Sequence, residues 1–364
     1  MIFDDAPLYD CLKKYAAKKP LRLHMPAHKG RLDFDFCTDF DITELGFDDN
    51  LDNPQGVIKA AQQKFADLFG AKNAVFTTNG SSQGVMAFLS LSGGKILTDD
   101  YHISVERGAK LFGSEVFRCD SLTPQQIKKA YESDGIKTVL AVYPDYFGKI
   151  CDLPAVFKAV KDVGGTLFVD AAHGAHFGLN KKLPPSAVGF CDACVVSTHK
   201  TLGAMTQTAV VMSNDDALFK RLKQNINLLS TTSPSYPLMA SIDAARNVAA
   251  KIAQKNLDRL YDDVEYLIKN LDKKISALYY DDFTKLTLDF CGLKISGKTA
   301  WQYLADRNVF CEMFSGSKVL CYLSYFDAKK DILRLLKTLN VMAKKTFDED
   351  DKTACDGPFC YGEI

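Results

Sequence analysis

Along the first two thirds of the chain, apolar residues gather in short unbroken runs rather than alternating with polar ones. NAVFTTNG (residues 73–80), KTVLAVY (137–143), TLFVD (166–170), DACVVS (192–197) and QTAVVMS (207–213) each contain such a run. Successive side chains of a strand point to opposite faces, so an unbroken apolar run predicts a strand buried on both. Helically spaced stretches, GSSQGVMAFLSL (80–91) and LPAVFKAVKDVGG (153–165) among them, lie between the runs. Strand and helix in alternation predict an α/β fold, with a mainly parallel sheet covered by helices.

Beyond Pro234 and Pro237 the pattern changes to one long charged helical stretch, residues 240–275. FTKLTLDF (283–290), VLCYLSYF (319–326) and DILRLLKTLNVMAKKTF (331–347) then read strand, strand, helix, which predicts a smaller α+β C-terminal domain. The expected organisation is an N-terminal arm over 1–55, a major domain over 56–240, the small domain over 241–347 and a polar tail over 348–364. There are no internal repeats and no low-complexity segments.

Composition narrows the function classes. With 364 residues, 47% hydrophobic and 25% charged, the chain can bury a large core. Lysine plus arginine and aspartate plus glutamate both total 45, so no excess charge favours nucleic acid or an anionic membrane, and the expected partner is a small molecule. No apolar run approaches the ~18 residues of a membrane span, and a cytoplasmic location is expected. Eleven cysteines are scattered, mostly in apolar stretches, which predicts reduced thiols packed as small hydrophobes. Cys191 and Cys194 lead into a strand, and Cys355 and Cys360 have the wrong spacing for a zinc knuckle, so neither pair predicts a metal.

The ends of the predicted strands carry the candidate chemistry, because ligands of open α/β sheets sit beyond the strands' carboxyl ends. Asp170 ends one strand, and Lys200 follows another after a spacing suited to a helical crossover. TTNGSSQG leaves its strand through Gly80, Ser81 and Ser82 into a helix start, offering N–H groups and hydroxyls to a phosphate. The six histidines (His24, His28, His102, His173, His176 and His199) all fall at strand ends or in the arm, which points to one polar site. A lysine, a phosphate cradle and a strand-end aspartate together meet the needs of pyridoxal 5'-phosphate (PLP). Taken singly, each has a plain structural reading as a turn or a solvated edge. Asp170, His173 and His176 alternatively have a spacing that a hydrolytic metal site could use.

The segments HMPAHKG, DITELGFDDNLDNPQGVIKAAQQKFADLFGA, TTNGSSQGVMA, FVDAAHGAHFGL and VSTHKTLGAMTQTAVV together resemble the ornithine/lysine/arginine decarboxylase family, PLP enzymes with the aspartate-aminotransferase-like fold. The resemblance implies that Lys200 is the Schiff-base lysine and Asp170 the partner of the pyridine nitrogen. It further implies that His102 stacks on the ring, that Ala172 packs under it and that His173 lines the pocket. Gly80, Ser81, Ser82, Ser197 and His199 would hold the phosphate, and Thr232 and Ser233 would reach the phosphate of a neighbouring subunit in a homodimer with shared active sites. Glu312 and His28 are the candidate substrate contacts, and Asp48 or Asp49 could contribute a further carboxylate. The implied reaction is decarboxylation of lysine, arginine or ornithine through an external aldimine and a quinonoid, giving a polyamine or its precursor. No metal is implied. Another PLP-dependent lyase or aminotransferase, or a PLP-binding paralogue with reduced catalysis, is the alternative. A transaminase would need an arginine for the substrate carboxylate, and Arg307 and Arg334 are the candidates.

Overall fold

The computed structural model describes residues 19, 21–23 and 49–347. His24, His28, Asp48, Cys355, Cys360 and the tail lie outside the described residues. The first described strand is β1 (Leu21–Leu23). It is followed by α1 (Val57–Phe69), β2 (Asn73–Thr77), α2 (Gly80–Leu89), β3 (Lys95–Thr98), α3 (Ile103–Phe112) and β4 (Glu115–Arg118). Next come α4 (Pro124–Asp134), β5 (Thr138–Val142), α5 (Leu153–Asp162), β6 (Thr166–Asp170), β7 (Ala193–Val196), α6 (Thr198–Thr201) and β8 (Ala209–Ser213). The chain continues through α7 (Asp216–Leu228), α8 (Tyr236–Asn270), β9 (Ser276–Leu278), β10 (Lys285–Asp289) and α9 (Gly297–Ala305). It then forms β11 (Val309–Cys311), β12 (Met313–Ser315), β13 (Lys318–Tyr322) and α10 (Lys329–Met342). Two compact units divide it: Pro26–Leu257, and Asp258–Ile364 together with Met1–Met25.

The larger unit is an α/β fold around a seven-stranded sheet ordered β2-β8-β7-β6-β5-β3-β4. From β7 across to β4 the strands pair in parallel, while β8 runs antiparallel to both β7 and β2. Because β8 is reversed, its N-terminal end shares an edge with the carboxyl ends of the other six. The expected helical crossover between β6 and β7 is absent: residues 171–192 carry only a short 3-10 turn at Ala187–Phe190. Helix starts follow local chemistry. The hydroxyl of Thr123 accepts from Gln126 N ahead of α4, and the Asp152 carboxylate from Ala155 N ahead of α5, each with a proline in the first turn.

Helix α2 lies on the centre of this sheet. Phe88 stacks on Phe168 with ring centroids 4.6 Å apart and planes 6° from parallel, among fully buried Val75, Leu140, Val195 and Val211. Removing such a ring costs about 3–5 kcal/mol, transfer and cavity terms together.

The smaller unit is α+β. Its four-stranded antiparallel sheet is ordered β12-β13-β10-β9, and β1 pairs in parallel with β11, Leu21 opposite Val309. Leu21–Leu23 is therefore a paired strand of this unit, where the sequence predicts part of a separate arm. The unit boundary falls within α8, later than the change of pattern near residue 240. A buried pair, Lys285 Nζ 3.2 Å from Asp282 Oδ2, joins the first residue of β10 to the turn before it, with the Tyr322 ring 4.5 Å from the ammonium. The expectation of reduced thiols holds for Cys119, Cys151, Cys191, Cys194, Cys311 and Cys321, whereas Cys291 is disulfide-bonded. Among the described residues no helix is long and apolar enough to cross a membrane.

Candidate functional site

The carboxyl edge of the large sheet collects most of the residues singled out in the sequence. Asp170 is the last residue of β6 and is buried, and its Oδ1 accepts a hydrogen bond from Ala172 N at 3.0 Å. Burial pushes the Asp170 carboxyl above its ordinary pKa; Lys200, the Ala172 N–H and His102 pull the other way. Lys200 lies on the four-residue helix α6, directly after β7, so the parallel pairing of β6 with β7 brings the two strand ends side by side.

The Lys200 ammonium is 2.7 Å from His173 Nε2. An ammonium only donates, so the imidazole accepts at Nε2 and carries its hydrogen on Nδ1. His173 and Ala172 are both buried in the segment that follows β6.

The phosphate-type elements converge at the same edge. Ser197, fully buried after β7, donates from its hydroxyl to Ser81 Oγ at 2.9 Å, on the first turn of α2. That helix begins at Gly80, whose φ of +71° an L-residue would adopt only with strain, and its N-cap Asn79 supplies no side-chain cap. Gly80 N donates to Gln207 O at 2.8 Å, just before the reversed β8, and the Thr77 hydroxyl donates to Gly80 O. Ser82 is half-buried beside Ser81.

Two histidines frame these groups. His102 caps α3, its Nδ1 accepting from Ser104 N at 3.2 Å, and stays exposed at the surface. The protein mass around its ring lowers its pKa; Asp170 opposes this, while Lys200 and Arg107 add to it. His199 donates from Nδ1 to Thr208 O at 2.9 Å, and burial lowers its pKa to about 4, the Thr208 carbonyl opposing and Lys200 assisting. With Nδ1–H engaged, His199 can donate from Nε2 to an anion only as imidazolium.

Other sequence candidates fall elsewhere. Thr232 and Ser233 are exposed ahead of α8, where Ser233 N donates to Thr231 Oγ1. Glu312 belongs to the smaller unit, where its N–H donates to Leu320 O. Arg307 lies 3.6 Å over the Tyr303 ring and donates to Tyr303 O, and Arg334 donates to the carbonyls of Arg307 and Asn308. Asp49 is a helix cap: its two oxygens accept from the N–H groups of Asn50, Gln55, Gly56, Ile58 and Lys59. Among the described residues no cluster of three or more His, Cys, Asp or Glu could hold a metal ion.

A cavity of about 500 Å³ opens beyond β3, β4 and β5. Two of its carboxylates hold turns: Asp99 accepts from Asp100 N and Leu122 N, and Asp145 from Phe147 N and Lys149 N.

The sequence reading missed Tyr146, whose ring centroid is 4.9 Å from that of His173. It also missed Gln207 and Thr208, which anchor Gly80 and His199. Tyr146 carried a signal, an aromatic two residues beyond YP at a strand end.

The donor set fits PLP. A buried strand-end carboxylate faces a ring nitrogen's needs, an amine lies at the adjoining strand end, and serine hydroxyls stand at a helix start that no side chain caps.

Comparison with known proteins follows the same lines. The family model Orn/Lys/Arg decarboxylase, major domain, matches residues 112–306. An arginine decarboxylase of Bacillus subtilis is 28% identical over 95% of this chain and 79% of its own length. The B. subtilis protein YaaO is 30% identical over 94% and 78%. Among solved structures, the Francisella novicida lysine decarboxylase LdcF matches with a TM-score of 0.71 at 17% identity, over 82% of this chain and 52% of that one. This chain thus spans about half the length of that enzyme. A structure of SPT with PLP internal aldimine matches with a TM-score of 0.63 at 19% identity, over 78% and 75%.

Proposed function

The chain belongs to the Orn/Lys/Arg decarboxylase family, and from that premise we propose that it decarboxylates a basic amino acid with PLP as cofactor, arginine being the first substrate to test. The observation that carries this reading is the placement of Lys200 and Asp170 at the ends of adjacent parallel strands, with Ser81 and Ser197 joined beside them. Arginine is favoured because it is the substrate named for the curated relative that aligns over 95% of this chain.

In this reading Lys200 would hold the cofactor through Nζ, and Asp170 would pair with the ring nitrogen. Ala172, buried, would pack against the ring, and His102, exposed at the surface, would cover it. Ser81, Ser82, Ser197 and His199, with N–H groups that open α2, would hold the phosphate. PLP bound there supplies an electron sink for the carbanion left when CO₂ departs. Burial of Asp170 keeps water from competing for its carboxylate. Its Oδ1 is fixed by Ala172 N, and the carboxylate would favour a proton on the ring nitrogen of a bound cofactor. His173 Nε2 accepts a hydrogen bond from Lys200 Nζ, which would give that amine a local partner for proton exchange. The engagement of Arg307 and Arg334 with nearby carbonyls and the Tyr303 ring argues against their use as a transaminase carboxylate clamp. Thr232 and Ser233, exposed in one chain, are the candidates to reach a second copy's phosphate in a homodimer; Glu312 and His28 remain the candidates for the substrate side chain.

The test is the visible spectrum of the purified protein beside Lys200→Ala, followed by CO₂ release from arginine, lysine and ornithine. A cofactor band lost in the variant, with CO₂ from one of these, supports the proposal. No band after PLP is supplied, or a stable band with no CO₂ from any of the three, overturns it.

A further inference from the structure

Lys200 and His173 touch, but nothing in that pair alone explains why the imidazole presents Nε2 to the amine. An imidazole has two nitrogens, and a ring that swings away gives up the 2.7 Å contact between Nε2 and the amine. What surrounds His173 therefore matters, and one neighbour is aromatic: the Tyr146 ring lies 4.9 Å from the imidazole centroid, tilted 60°.

Tyr146 is held by a tight turn beyond β5. Asp145 Oδ1 accepts from Phe147 N at 2.9 Å and Lys149 N at 2.8 Å, while Asp145 N donates to Lys149 O and Gly148 N to Asp145 O. The segment after β6 is knitted to the same region. Tyr143 N donates to Asp170 O, and the Tyr143 and Phe177 rings meet edge to face at 5.5 Å. Gly174 comes so close that a Cβ there would lie 2.9 Å from Tyr143 O and 3.0 Å from Pro144 Cδ. The two strand-end segments thus meet with little room to shift, and Tyr146 and His173 face each other across that seam.

We propose that Tyr146 is a positioning residue for the candidate cofactor lysine: its ring fixes the His173 imidazole in the orientation that sets Nε2 against Lys200 Nζ. The catalytic consequence rests on the reading of Lys200 given above; the positioning itself does not. A ring wall restricts the imidazole by contact, so phenylalanine can replace tyrosine and a small aliphatic side chain cannot. Fixing Nε2 as acceptor also fixes the Nδ1–H tautomer, which a spectrum can read without cofactor.

The experiment is nitrogen-15 NMR of the full chain labelled at its histidines, in the apo form, with the His173 signal assigned by its loss in His173→Gln. In the wild type, that ring is expected to show a single Nδ1–H tautomer, altered in Lys200→Met. Tyr146→Phe keeps this signature, whereas Tyr146→Ala and Tyr146→Leu lose it to averaged tautomers, with the His102 and His199 signals unchanged. The signature persisting in both Tyr146→Ala and Tyr146→Leu overturns the proposal, and so does its loss in Tyr146→Phe. Should the alanine variant not fold, the leucine variant carries the decision. Visible absorption after addition of PLP is recorded separately: an absent band sinks the cofactor reading while leaving the apo result to stand.

Discussion

Ser197 Oγ donates to Ser81 Oγ across 2.9 Å, tying the end of β7 to the first turn of α2 although 116 residues separate them. Neither hydroxyl has an evident packing reason to be polar, since β7 is buried throughout and α2 packs on the sheet. A hydroxyl pair beside an uncapped helix start suits an anion. Ser81→Ala and Ser197→Ala should therefore each weaken PLP binding by about tenfold or more, the worth of one hydrogen bond to a charged group. Titration of the apo protein with PLP measures this. Unchanged affinity in both variants would remove the pair from the phosphate site.

The Asp49 carboxylate is committed to structure. Burial raises its pKa, but the N–H groups of Gln55, Lys59, Gly56 and Asn50 outweigh that and hold it below the ordinary value. The folded-state pKa is depressed, so this stabilisation is present above the unfolded value of about 3.9 and is lost as pH falls through the folded one. Asp49→Ala should destabilise the larger unit by about 2 kcal/mol at pH 7, with the difference from wild type shrinking toward pH 3. Urea unfolding at both pH values provides the comparison.

Much of this arrangement can be read from the sequence, and the parts that cannot share a physical cause. The runs at 138–142, 166–170, 193–196 and 209–213 announce buried strands because both faces must be apolar. Lys95–Thr98 and Glu115–Arg118 do not: each has four residues and a charged start, and β4 is an edge strand with no buried residue. Strand direction is also silent, since TAVVMS reads the same whether β8 runs up or down. Lys200 and Asp170 were legible as strand-end residues, whereas Tyr146 sits in a loop whose path depends on a turn held by Asp145. The unit boundary inside α8 leaves no trace in composition, because one continuous helix crosses it.

His199 should make stability acid-sensitive. Burial lowers its pKa to about 4, against an unfolded value of about 6.5. With the folded value depressed, the stabilisation is present above pH ~6.5 and is lost as pH falls toward 4. His199→Gln should flatten the decline in unfolding free energy between pH 7 and pH 5 relative to wild type. If both proteins lose stability equally over that range, another group is responsible. PLP bound in the proposed pose should raise the His199 pKa, because the ring can donate from Nε2 to the phosphate only when doubly protonated.

Gly84 lets α2 approach the sheet. A Cβ at this position would lie 2.7 Å from Val211 Cγ2 and 2.8 Å from Val195 Cγ2. Both neighbours are β-branched and have little rotamer freedom to withdraw. The helix propensity gained by alanine, about 1 kcal/mol, is smaller than the overpacking cost of about 1–3 kcal/mol, so Gly84→Ala should lower stability. Adding Val211→Ala should relieve part of that loss, and a double-mutant cycle by thermal unfolding would show the coupling. Independent effects of the two substitutions would mean that the helix shifts as a body instead.

Asp170→Asn separates holding the cofactor from activating it. Asparagine has nearly the same shape and can still accept from Ala172 N, so the strand end should keep its form. It is neutral, however, and cannot stabilise a proton on a ring nitrogen, which is what makes the ring an effective electron acceptor. The variant should bind PLP and show a visible band, yet release CO₂ at least ~100-fold more slowly than wild type, in the range typical for loss of one electrostatic contact in the transition state. Lys200→Ala should behave differently, losing the covalent attachment and the band with it. If Asp170→Asn turned over at the wild-type rate, the ring nitrogen would have to face another group, and the orientation of the cofactor relative to β6 would need to be reversed. If it bound no PLP at all, the carboxylate would be needed for affinity, and burial of its charge beside Lys200 would be the first feature to revisit.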